Sequence, residues 1–401
     1  MKIGVEAMAC HIPRHYVGLD DLADLRGVDR RKFSSGLDVQ NMAIATPAED
    51  AVYLAATAAE KVLEKFDIDP NDIGAVVVGT ETGVDHSKPI AVYLHEALSL
   101  RTNCTAFEVK HACFGASAGL SWAVDWIASG RARGSKALVV ATDIARYGLE
   151  TAGEPTQGAG AVAMVVSDEP RLLSLEPALV GEYTRNVMDF WRPLHRSEAL
   201  TDGHYSIECY LTALRACIDD AGPDLPSVED FDACLYHVPF PKMALKAHSC
   251  HRSAEIGSDT ARTDAERASY ETRVAPWLSL NREIGNVYTG SVYLALLDLL
   301  RQGQVPDGGT VSLFSYGSGC TASLRVGQLV DGYHRYADRL DPADQLAARV
   351  RLTIEEYEEL MSEPGSQGLA DWQTHPEAWG LPASRFTYLG TKSHVRQYVG
   401  I

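Results

Sequence analysis

The sequence lacks the features that mark several large classes of protein. Its 401 residues include 36 lysines and arginines against 54 aspartates and glutamates, a formal net charge of −18, and no basic stripe offsets this balance locally. Binding to the phosphate backbone of nucleic acids is therefore not expected. No apolar run approaches the roughly 18 residues of a membrane span, and the N-terminus shows no signal-peptide pattern. We therefore expect a cytoplasmic protein with no membrane partner.

Cysteine, glycine and proline are also not arranged as in stapled, metal-binding or linker-joined proteins. The eight cysteines form no CxxC pair and sit mostly in apolar segments, where a thiol acts as a small hydrophobe. His248, Cys250 and His251 have no matching second cluster, so they are assigned to the surface and not to a zinc site. The glycines at 158–162 lead into a strand pattern, unlike a dinucleotide-binding turn. No Pro-rich or Gly/Ser linker divides the chain, so one continuous body is expected.

The apolar pattern is typical of an α/β protein with buried strands, because short runs rich in Val, Ala and Ile alternate with helical patterns. The length suits either two to three domains or one large fold built from two similar halves. The polar stretch Ser249–Arg273 and the tail Ser362–Pro382 are assigned to surface insertions. The pattern predicts a helix over Thr289–Gly303 and strands over Ile73–Glu81, Thr105–Lys110, Lys136–Asp143, Gly160–Asp168, Phe231–Phe240 and Thr310–Gly319.

One cysteine stands at the start of the clearest predicted helix. After Cys113, the residues Leu120, Val124 and Ile127 recur at helical spacing, and the helix is expected to end at Gly130. The dipole and unpaired N–H groups of a helix N-terminus favour a thiolate, which is the reactive form of cysteine. Cys113 is therefore either a catalytic nucleophile or a buried structural thiol.

Other polar residues stand at the ends of predicted strands. Glu81 is either a general acid/base at the rim of the sheet or a solvated loop glutamate. His237 is either a base or substrate anchor, or a core histidine bonded to a backbone carbonyl. Asn286 either caps the following helix or orients a substrate carbonyl. The small-residue loop at the end of Phe314–Gly319 is either an oxyanion hole or an ordinary turn.

Seven motifs taken together resemble one family, hydroxymethylglutaryl-CoA synthase. In chain order they are TETGVD, EVKHACFGASAG, AGEPTQGAGAVAM, VMDFWRP, YHVPFPKM, IGNVYTGSVYL and FSYGSG, and they extend over nearly the whole chain. The resemblance implies a thiolase-type fold of two similar halves, residues 1–168 and 169–401, in α-β-α-β-α layers. It also implies a homodimer and an active site where the halves meet.

The resemblance implies a role for each strand-end residue. Cys113 accepts an acetyl group from acetyl-CoA, Glu81 is the general acid/base, and His237 holds and polarises an acetoacetyl thioester. The residues agree with this chemistry, because the condensation needs an acylatable thiol, a carboxyl that removes a methyl proton, and donors for the oxyanion. Water then releases the hydroxymethylglutaryl product. The residues that match positions contacting the substrate are Asn286, Ser318, Gly317, Tyr147, Lys242 and Lys246.

The carrier of the acyl groups stays open at this point. Members of the family in the mevalonate pathway of isoprenoid biosynthesis use CoA, whereas polyketide β-branching relatives use an acyl carrier protein. GEPTQGAGAVAM, DFWRP and KMALKAH favour the first branch, and ETGVD, EVKHAC and TRVAPWL favour the second. Another thiolase-fold enzyme, such as a ketoacyl synthase, would use a different histidine or second-cysteine pattern. No metal or redox cofactor is implied, only thioester substrates.

Overall fold

The computed structural model describes residues 2–194, 196, 198–256, 264–362, 370–381, 384 and 386–401. Its strands are β1 (Ile3–His11), β2 (His15–Gly18), β3 (Asn41–Ile44), β4 (Ile73–Gly79), β5 (Thr105–Val109), β6 (Lys136–Ala145), β7 (Gly158–Ser167), β8 (Leu173–Thr184), β9 (Phe190–Trp191), β10 (Leu200–Thr201), β11 (Ala233–Tyr236), β12 (Thr310–Gly317), β13 (Thr321–Leu329), β14 (Val350–Arg351), β15 (Trp372–Gln373), β16 (Tyr388–Lys392) and β17 (Val395–Tyr398). Its α-helices are α1 (Leu19–Leu25), α2 (Arg31–Ser34), α3 (Ala51–Lys65), α4 (Ile90–Ala97), α5 (Gly115–Ala128), α6 (Gly203–Ala221), α7 (Lys242–Ile256), α8 (Asp264–Arg273), α9 (Ser279–Ile284), α10 (Ser291–Gln302), α11 (Ala337–Leu340), α12 (Ala343–Ala347) and α13 (Ile354–Ser362).

One pattern of strand pairing occurs twice in the main sheet, whose order is β11-β12-β13-β8-β1-β7-β6-β4-β5. In the first half, β4 is parallel to β6, β6 is antiparallel to β7, and β7 is antiparallel to β1. In the second half, β11 is parallel to β12, β12 is antiparallel to β13, and β13 is antiparallel to β8. The two copies join where β1 pairs antiparallel with β8. The predicted α/β fold of two similar halves is therefore confirmed, while the boundary between residues 168 and 169 stays a prediction.

Helices pack on the sheet and also lie between the two halves of the fold. α3 packs on β1 and β7, and α6 packs on β8 and β13. Between the halves, Ser117 of α5 has its Oγ 2.7 Å from the hydroxyl of Tyr293 in α10 and donates a 2.7 Å hydrogen bond to Ser315 of β12. This arrangement is the layered, thiolase-like fold that the sequence predicts. No helix in the described part of the chain is both long and apolar enough to cross a membrane.

Small residues allow α5 to lie in the interior. The predicted residues Leu120, Val124 and Ile127 are all buried, and the chain leaves the helix through Gly130 with a φ of +75°. A Cβ atom at Gly119 would lie 2.9 Å from Cγ1 of Val77 in β4, so glycine permits the close approach of helix and sheet. The start of α5, next to Cys113, is thereby fixed against the sheet.

The predicted strands correspond to β4, β5, β6, β7, β11 and β12, and the predicted helix over 289–303 corresponds to α10 with a preceding 3₁₀ turn, Tyr288–Gly290. The sequence reasoning missed β1 and β8, which lie at the centre of the sheet. β1 is buried at every position except His11, and it includes Glu6, which forms ion pairs with Lys136 and Arg171. A charged residue inside a strand that is buried on both faces disguises its apolar pattern.

The assignment of Ser249–Arg273 to a surface insertion is wrong where the structure describes it. The segment continues α7 to Ile256 and then forms α8, while residues 257–263 lie outside the described residues. Glu266, Ser269 and Tyr270 of α8 are buried. In the C-terminal tail, residues 363–369 and 382 also lie outside the described residues, and β15 pairs with β16.

The surface assignment of the two histidines and the cysteine in α7 is also wrong. His248 and His251 are fully buried, and Cys250 is 5% exposed. The reason lies in β11, where the Tyr236 hydroxyl is 3.2 Å from Nδ1 of His248 and 3.1 Å from Nδ1 of His251. Polar partners inside the fold make these histidines part of the core. Among the described residues, no group of three metal-ligating side chains is found.

Candidate active site

Cys113 lies where the two halves of the fold touch. It is the middle residue of the 3₁₀ turn Ala112–Phe114, between β5 and α5, and Ala112 holds a φ of +37°. Gly317, at the end of β12, packs directly on this turn, since a Cβ there would lie 2.5 Å from Cβ and 2.7 Å from the backbone N of Phe114. The imidazole of His111 also bonds to the backbone of Gly317 and Ser318. The structure therefore brings Gly317 and Ser318 beside Cys113.

Glu81 is a nearly buried carboxylate beside an arginine. Arg192 donates 2.8 Å hydrogen bonds from Nη2 both to Oε2 and to the backbone oxygen of Glu81. The Glu81 side chain is 11% exposed. Burial raises the pKa of Glu81 to about 7; Arg192 opposes this rise, and the charge of Asp143 adds to it. Glu81 is thus a carboxyl that exchanges its proton near neutral pH, and not a solvated loop residue.

Asp143, which the sequence reasoning did not single out, ties Glu81 to the second half of the fold. Its Oδ1 accepts hydrogen bonds from the backbone N–H groups of Glu81 at 2.8 Å and Thr82 at 3.0 Å. Its Oδ2 accepts from the backbone N–H of Thr289 at 3.0 Å and from the Thr289 hydroxyl at 2.6 Å. Burial raises the pKa of Asp143 to about 6. A polar residue at the end of the apolar strand pattern was the available signal.

A second missed residue, Asp189, fixes the loop that contains Ser318. It is fully buried, and it accepts a 2.7 Å hydrogen bond from the Tyr316 hydroxyl and a 2.9 Å bond from the backbone N–H of Gly319. The Gly319 carbonyl in turn accepts a 2.7 Å bond from the Val187 backbone. The motif VMDFWRP contains this aspartate, and an acidic residue among aromatic ones was its signal.

The expected stabilisation of a Cys113 thiolate is wrong for the resting protein. Cys113 keeps a partly exposed surface. Burial nevertheless raises the pKa of the thiol well above its ordinary value, and the negative charges of Asp143, Glu81 and Asp189 raise it further. Desolvation and like charge outweigh the helix N-terminus, which favours an anion by only about 1 kcal/mol. Cys113 therefore rests as a neutral thiol.

The imidazole of His237 is neutral, and backbone hydrogen bonds hold the residue in place. Its backbone N–H donates to the Phe314 carbonyl at 2.7 Å, and its backbone carbonyl accepts from the Tyr210 hydroxyl at 2.7 Å. Burial lowers the pKa of His237 to about 3. Its Nδ1 is buried and has no hydrogen-bond partner among the described residues. A buried polar atom without a partner costs stability, so this nitrogen suits a bound substrate.

Two of the other predicted residues lie close to this centre. Asn286 caps the following turn, because its Oδ1 accepts 2.9 Å bonds from the Tyr288 backbone and the Ser291 hydroxyl. Tyr147 packs edge to face with Tyr288 at 6.5 Å between ring centres. Burial raises the pKa of the Tyr147 hydroxyl, which keeps it a neutral donor.

Lys242 and Lys246 lie four residues apart on α7, and both are partly exposed. The backbone N–H of Lys242 donates to the Leu37 carbonyl at 3.0 Å, which places the start of α7 beside the loop that follows α2. Within the described ranges, no hydrogen bond or ion pair joins either lysine to Glu81 or Cys113.

Comparison with known families identifies two matching regions. The model of the N-terminal region of hydroxymethylglutaryl-coenzyme A synthase matches residues 1–170. The model of the C-terminal region of that enzyme matches residues 173–252 and 254–376. Together these two models cover most of the chain.

Individual relatives agree with the family models. Hydroxymethylglutaryl-CoA synthase of Enterococcus faecalis is 38% identical over 368 residues, covering 90% of this chain and 92% of the relative. The structure of MvaS in complex with 3-hydroxy-3-methylglutaryl coenzyme A is 43% identical, with a TM-score of 0.91 and coverage of 99% and 98%. The hydroxymethylglutaryl synthase of the curacin biosynthetic pathway, in complex with holo donor-ACP, is 30% identical, with a TM-score of 0.92 and 99% coverage of each chain.

Proposed function

The chain belongs to the hydroxymethylglutaryl-CoA synthase family of condensing acyltransferases, and we propose that it joins acetyl-CoA and acetoacetyl-CoA through an acetyl group carried on Cys113. The observation that supports these residue roles is the meeting of the two halves at one point. There Gly317 of the second half packs on the Cys113 turn, and Asp143 joins Glu81 to Thr289.

The first step in this proposal is acetylation of Cys113. Its sulfur attacks the thioester carbonyl of acetyl-CoA, the bond from the acetyl carbon to CoA sulfur breaks, and the thiol proton leaves with CoA. Because burial and negative charge raise the pKa of Cys113, the attacking thiol loses its proton only as the substrate arrives. The backbone N–H groups of Cys113 and Ser318 stand as donors for the oxyanion.

Condensation follows on the acetyl group. The Glu81 carboxylate removes a methyl proton, and the resulting enolate carbon attacks the ketone carbon of the acetoacetyl thioester. Protonated Glu81 returns its proton to the alkoxide that forms. Water then cleaves the thioester to Cys113, which restores the thiol and releases the new carboxylate. With the pKa of Glu81 raised to about 7, both the base and the acid form are accessible near neutral pH.

His237 orients the second substrate in this scheme. Because burial lowers its pKa to about 3, His237 is neutral at working pH, yet a neutral imidazole still carries one N–H. That N–H donates to an oxygen of the acetoacetyl group. The condensation and hydrolysis involve no net oxidation or reduction, so they need no redox cofactor, and we propose that thioester substrates also suffice without a metal.

We infer that free CoA is the carrier of both acyl groups. The supporting comparison is identity among solved structures, since the chain is 43% identical to MvaS solved with 3-hydroxy-3-methylglutaryl coenzyme A and 30% identical to the curacin enzyme solved with its donor carrier protein. Lys242 and Lys246 offer two cations on one face of α7 for CoA phosphates.

Intact-protein mass spectrometry after addition of acetyl-CoA tests the residue roles. The wild-type chain is expected to gain an acetyl group that hydroxylamine removes, as it removes a thioester, Cys113→Ser to lose this acyl-enzyme, and Glu81→Ala to keep acetylation but lose condensation. A hydroxylamine-labile acetyl group that still forms in Cys113→Ser at a comparable rate would contradict the nucleophile, and an active Glu81→Ala enzyme would contradict the acid/base.

A chase of the acetyl-enzyme tests the carrier. Acetoacetyl-CoA and an acetoacetyl carrier protein are supplied separately, and the hydroxymethylglutaryl product is measured by mass. Turnover with acetoacetyl-CoA supports the proposal. Turnover with the carrier protein alone would place the chain in the polyketide β-branching branch instead.

We also propose a homodimer that forms through β5. This strand is the last in the order of the main sheet, and its five residues are all exposed or partly exposed. On it, Phe107 packs edge to face with Trp122 at 4.8 Å between ring centres. A strand edge of this kind is a template for pairing with another chain. Sedimentation is expected to show a dimer, with Phe107→Lys monomeric and the exposed control Val395→Lys still dimeric.

We place the enzyme in a reducing compartment such as the cytoplasm. All eight cysteines fall within the described ranges and are free thiols. Six of the cysteines are buried. Free thiols are typical of proteins kept in a reducing environment.

A further inference from the structure

Away from the active site, we propose that Lys61 is a self-acetylation site, a side-chain amine that takes an acetyl group directly from acetyl-CoA. Lys61 lies in α3 and is partly exposed. Its Nζ is 2.9 Å from Nδ1 of His11 and donates a 2.8 Å hydrogen bond to Oε1 of Gln345. Both partners are uncharged groups, and Lys61 takes part in none of the ion pairs among the described residues.

The histidine beside Lys61 is neutral and has one unsatisfied nitrogen. Burial, together with the charge of Lys61, lowers the pKa of His11 well below its usual value. Nε2 of His11 is buried without a partner in the described part of the chain. A bare nitrogen is less costly to bury unpaired than an N–H group, which favours the tautomer with hydrogen on Nδ1. The hydrogen on Nδ1 then donates to the Lys61 nitrogen, which can accept it only with a free lone pair. This geometry therefore suits a neutral amine.

Gln345 holds the amine in place without offering it a charge. Its Oε1 also accepts a 3.2 Å bond from the Ile12 backbone, and its Nε2 donates to the Cys10 carbonyl at 3.1 Å. Three hydrogen bonds, including the one from Lys61, thus fix the amide and direct its oxygen toward Lys61. An amide oxygen accepts a hydrogen bond from either protonation state of the amine, whereas a carboxylate would hold the ammonium form.

The charges around the amine act in both directions. Burial lowers the pKa of Lys61 to about 8, Lys65 lowers it further, and Cys10 and Glu60 oppose this effect. Half of the Lys61 amines are then neutral near pH 8, compared with roughly 0.3% for a lysine with an ordinary pKa. Only the neutral amine is a nucleophile, and the substrate of this enzyme family is itself an acetyl donor.

The transfer is balanced without a further reagent. The Lys61 nitrogen forms a bond to the acetyl carbon, the carbon–sulfur bond of acetyl-CoA breaks, and a proton passes from nitrogen to the CoA thiolate. The product is an amide with a single N–H. The amide nitrogen has no free lone pair, so the bond from His11 is lost, while the single N–H can still donate to Gln345. Acetylation therefore weakens the link between α3 and β1.

Peptide mass spectrometry of the whole protein after incubation with acetyl-CoA at pH 8 measures the reaction. The matched control is Lys65, which lies one turn further along α3, is partly exposed and donates to the Asp341 carbonyl at 3.4 Å. We expect Lys61 to gain acetyl at least tenfold faster than Lys65. Equal rates at the two lysines would overturn the proposal.

Two further arms make the test specific. Gln345→Glu places a carboxylate beside the amine and is expected to slow Lys61 acetylation to the rate of Lys65; an unchanged rate contradicts the mechanism. In wild-type protein, the rate of Lys61 acetylation is expected to level off above about pH 8. A rate that keeps rising well beyond this pH would contradict the proposal even where the variant fails to fold.

The source of the acetyl group is tested with Cys113→Ala. Acetylation of Lys61 is expected to persist in this variant, since the transfer is direct; its loss would show that the acetyl group passes through Cys113 and would overturn direct transfer. N-hydroxysulfosuccinimidyl acetate serves as a second donor. Selective labelling of Lys61 by this reagent supports the reactive amine even where the proposed condensation fails, and labelling without selectivity contradicts it.

Discussion

Arg192 is the residue whose charge acts most directly on the proposed acid/base. It donates to the Glu81 carboxylate at 2.8 Å, and it opposes the rise in pKa that burial causes. Arg192→Gln is therefore expected to raise the pKa of Glu81 by about one unit, since a close opposite charge lowers a carboxyl pKa by roughly that much or more. At pH 7 condensation then slows several-fold and recovers at higher pH, because the base must be ionised.

The pH profile of product formation checks this prediction, with Arg192→Lys as the control that keeps the charge. The rate of Cys113 acetylation in the same variants is expected to change little. If the acidic limb of the pH profile lies at the same pH in Arg192→Gln as in wild type, Arg192 does not set the proton state of Glu81.

Asp143 gives a second prediction at this scale. Asp143→Asn replaces one buried acceptor oxygen with an amide that must face N–H donors, so we expect a loss of about 2–4 kcal/mol of unfolding free energy. Condensation is expected to fall more than acetylation, because the Glu81 loop loses its support. Thr289→Val, which removes one hydroxyl bond to Asp143, is expected to cost about 1 kcal/mol. Chemical denaturation measures the unfolding free energy of both variants. Equal losses in Asp143→Asn and Thr289→Val would contradict this account.

The candidate site was predictable where a residue stands at the end of an apolar strand or at the start of a clear helix. Glu81, Cys113 and His237 satisfy that rule, and the family resemblance added their roles. Asp143 also ends a predicted strand and could have been singled out by the same rule, but its role, like that of Asp189, comes from hydrogen bonds between segments distant in sequence. The neutral state of Cys113 was missed for a similar reason, because the carboxyls that raise its pKa arrive through tertiary packing.

Among the helices, the position of α5 depends on glycines at its contact with the sheet, one in β4 and one in the helix itself. A Cβ at Gly79 would overlap the Ala116 backbone, whereas one at Gly119 would meet only the side chains of Val77 in β4 and Val139 in β6. We expect Gly119→Ala to cost about 1–3 kcal/mol and Gly79→Ala to cost more, because backbone yields less easily than a side chain. Gly203→Ala in α6 meets nothing within 4 Å and is expected to be neutral or to stabilise by up to about 1 kcal/mol.

Thermal and chemical denaturation of the three variants rank these effects. Acetylation of Cys113 provides a separate measure, since Gly79→Ala displaces the start of α5 and should slow it. A Gly79→Ala variant as stable as Gly203→Ala would show that α5 has room to move.

The fold was predictable where the apolar pattern of a segment and its length indicate the same kind of element, as in β4, β6, β7 and α10. β1 and β8 were not recognised. β8 is buried over its first residues and mixed over the rest, and β1 contains a buried glutamate that only its ion pairs explain. α8 is strongly polar, yet part of it is buried by polar contacts to α7, such as that between Ser269 and His248. Hydrophobicity alone does not reveal such a core.

For the molecule as a whole, acid stability is expected to depend on the buried histidines. Burial lowers the pKa of His248 to about 3 and of His251 to about 4. In the unfolded chain both titrate near 6.5, so their contribution to stability is present above that pH and is lost as the pH falls toward 4. At pH 5 the expected loss is about 2 kcal/mol for each histidine.

Unfolding curves at pH 7 and pH 5 test this expectation by comparing wild type with a His248→Gln, His251→Gln double variant. Glu49, Asp143 and Glu81 have raised pKa values and act in the opposite direction, but they are present in both proteins and cancel in the difference. The variant is expected to lose less stability on acidification. If wild type and the double variant lose the same stability between pH 7 and pH 5, the role of these histidines is contradicted.

The repeated strand pairing has a consequence for the history of the molecule. The turn before α5 and the turn before α10 occupy equivalent places in the two halves, and Ala112 and Tyr288, their first residues, both hold a φ of +37°. Cys113 and Thr289 are therefore counterparts. An ancestor assembled from two identical subunits would have carried two equal reaction centres. In the present chain one turn carries the proposed nucleophile, while the Thr289 hydroxyl of the other turn donates to Asp143, so two equivalent turns serve different purposes.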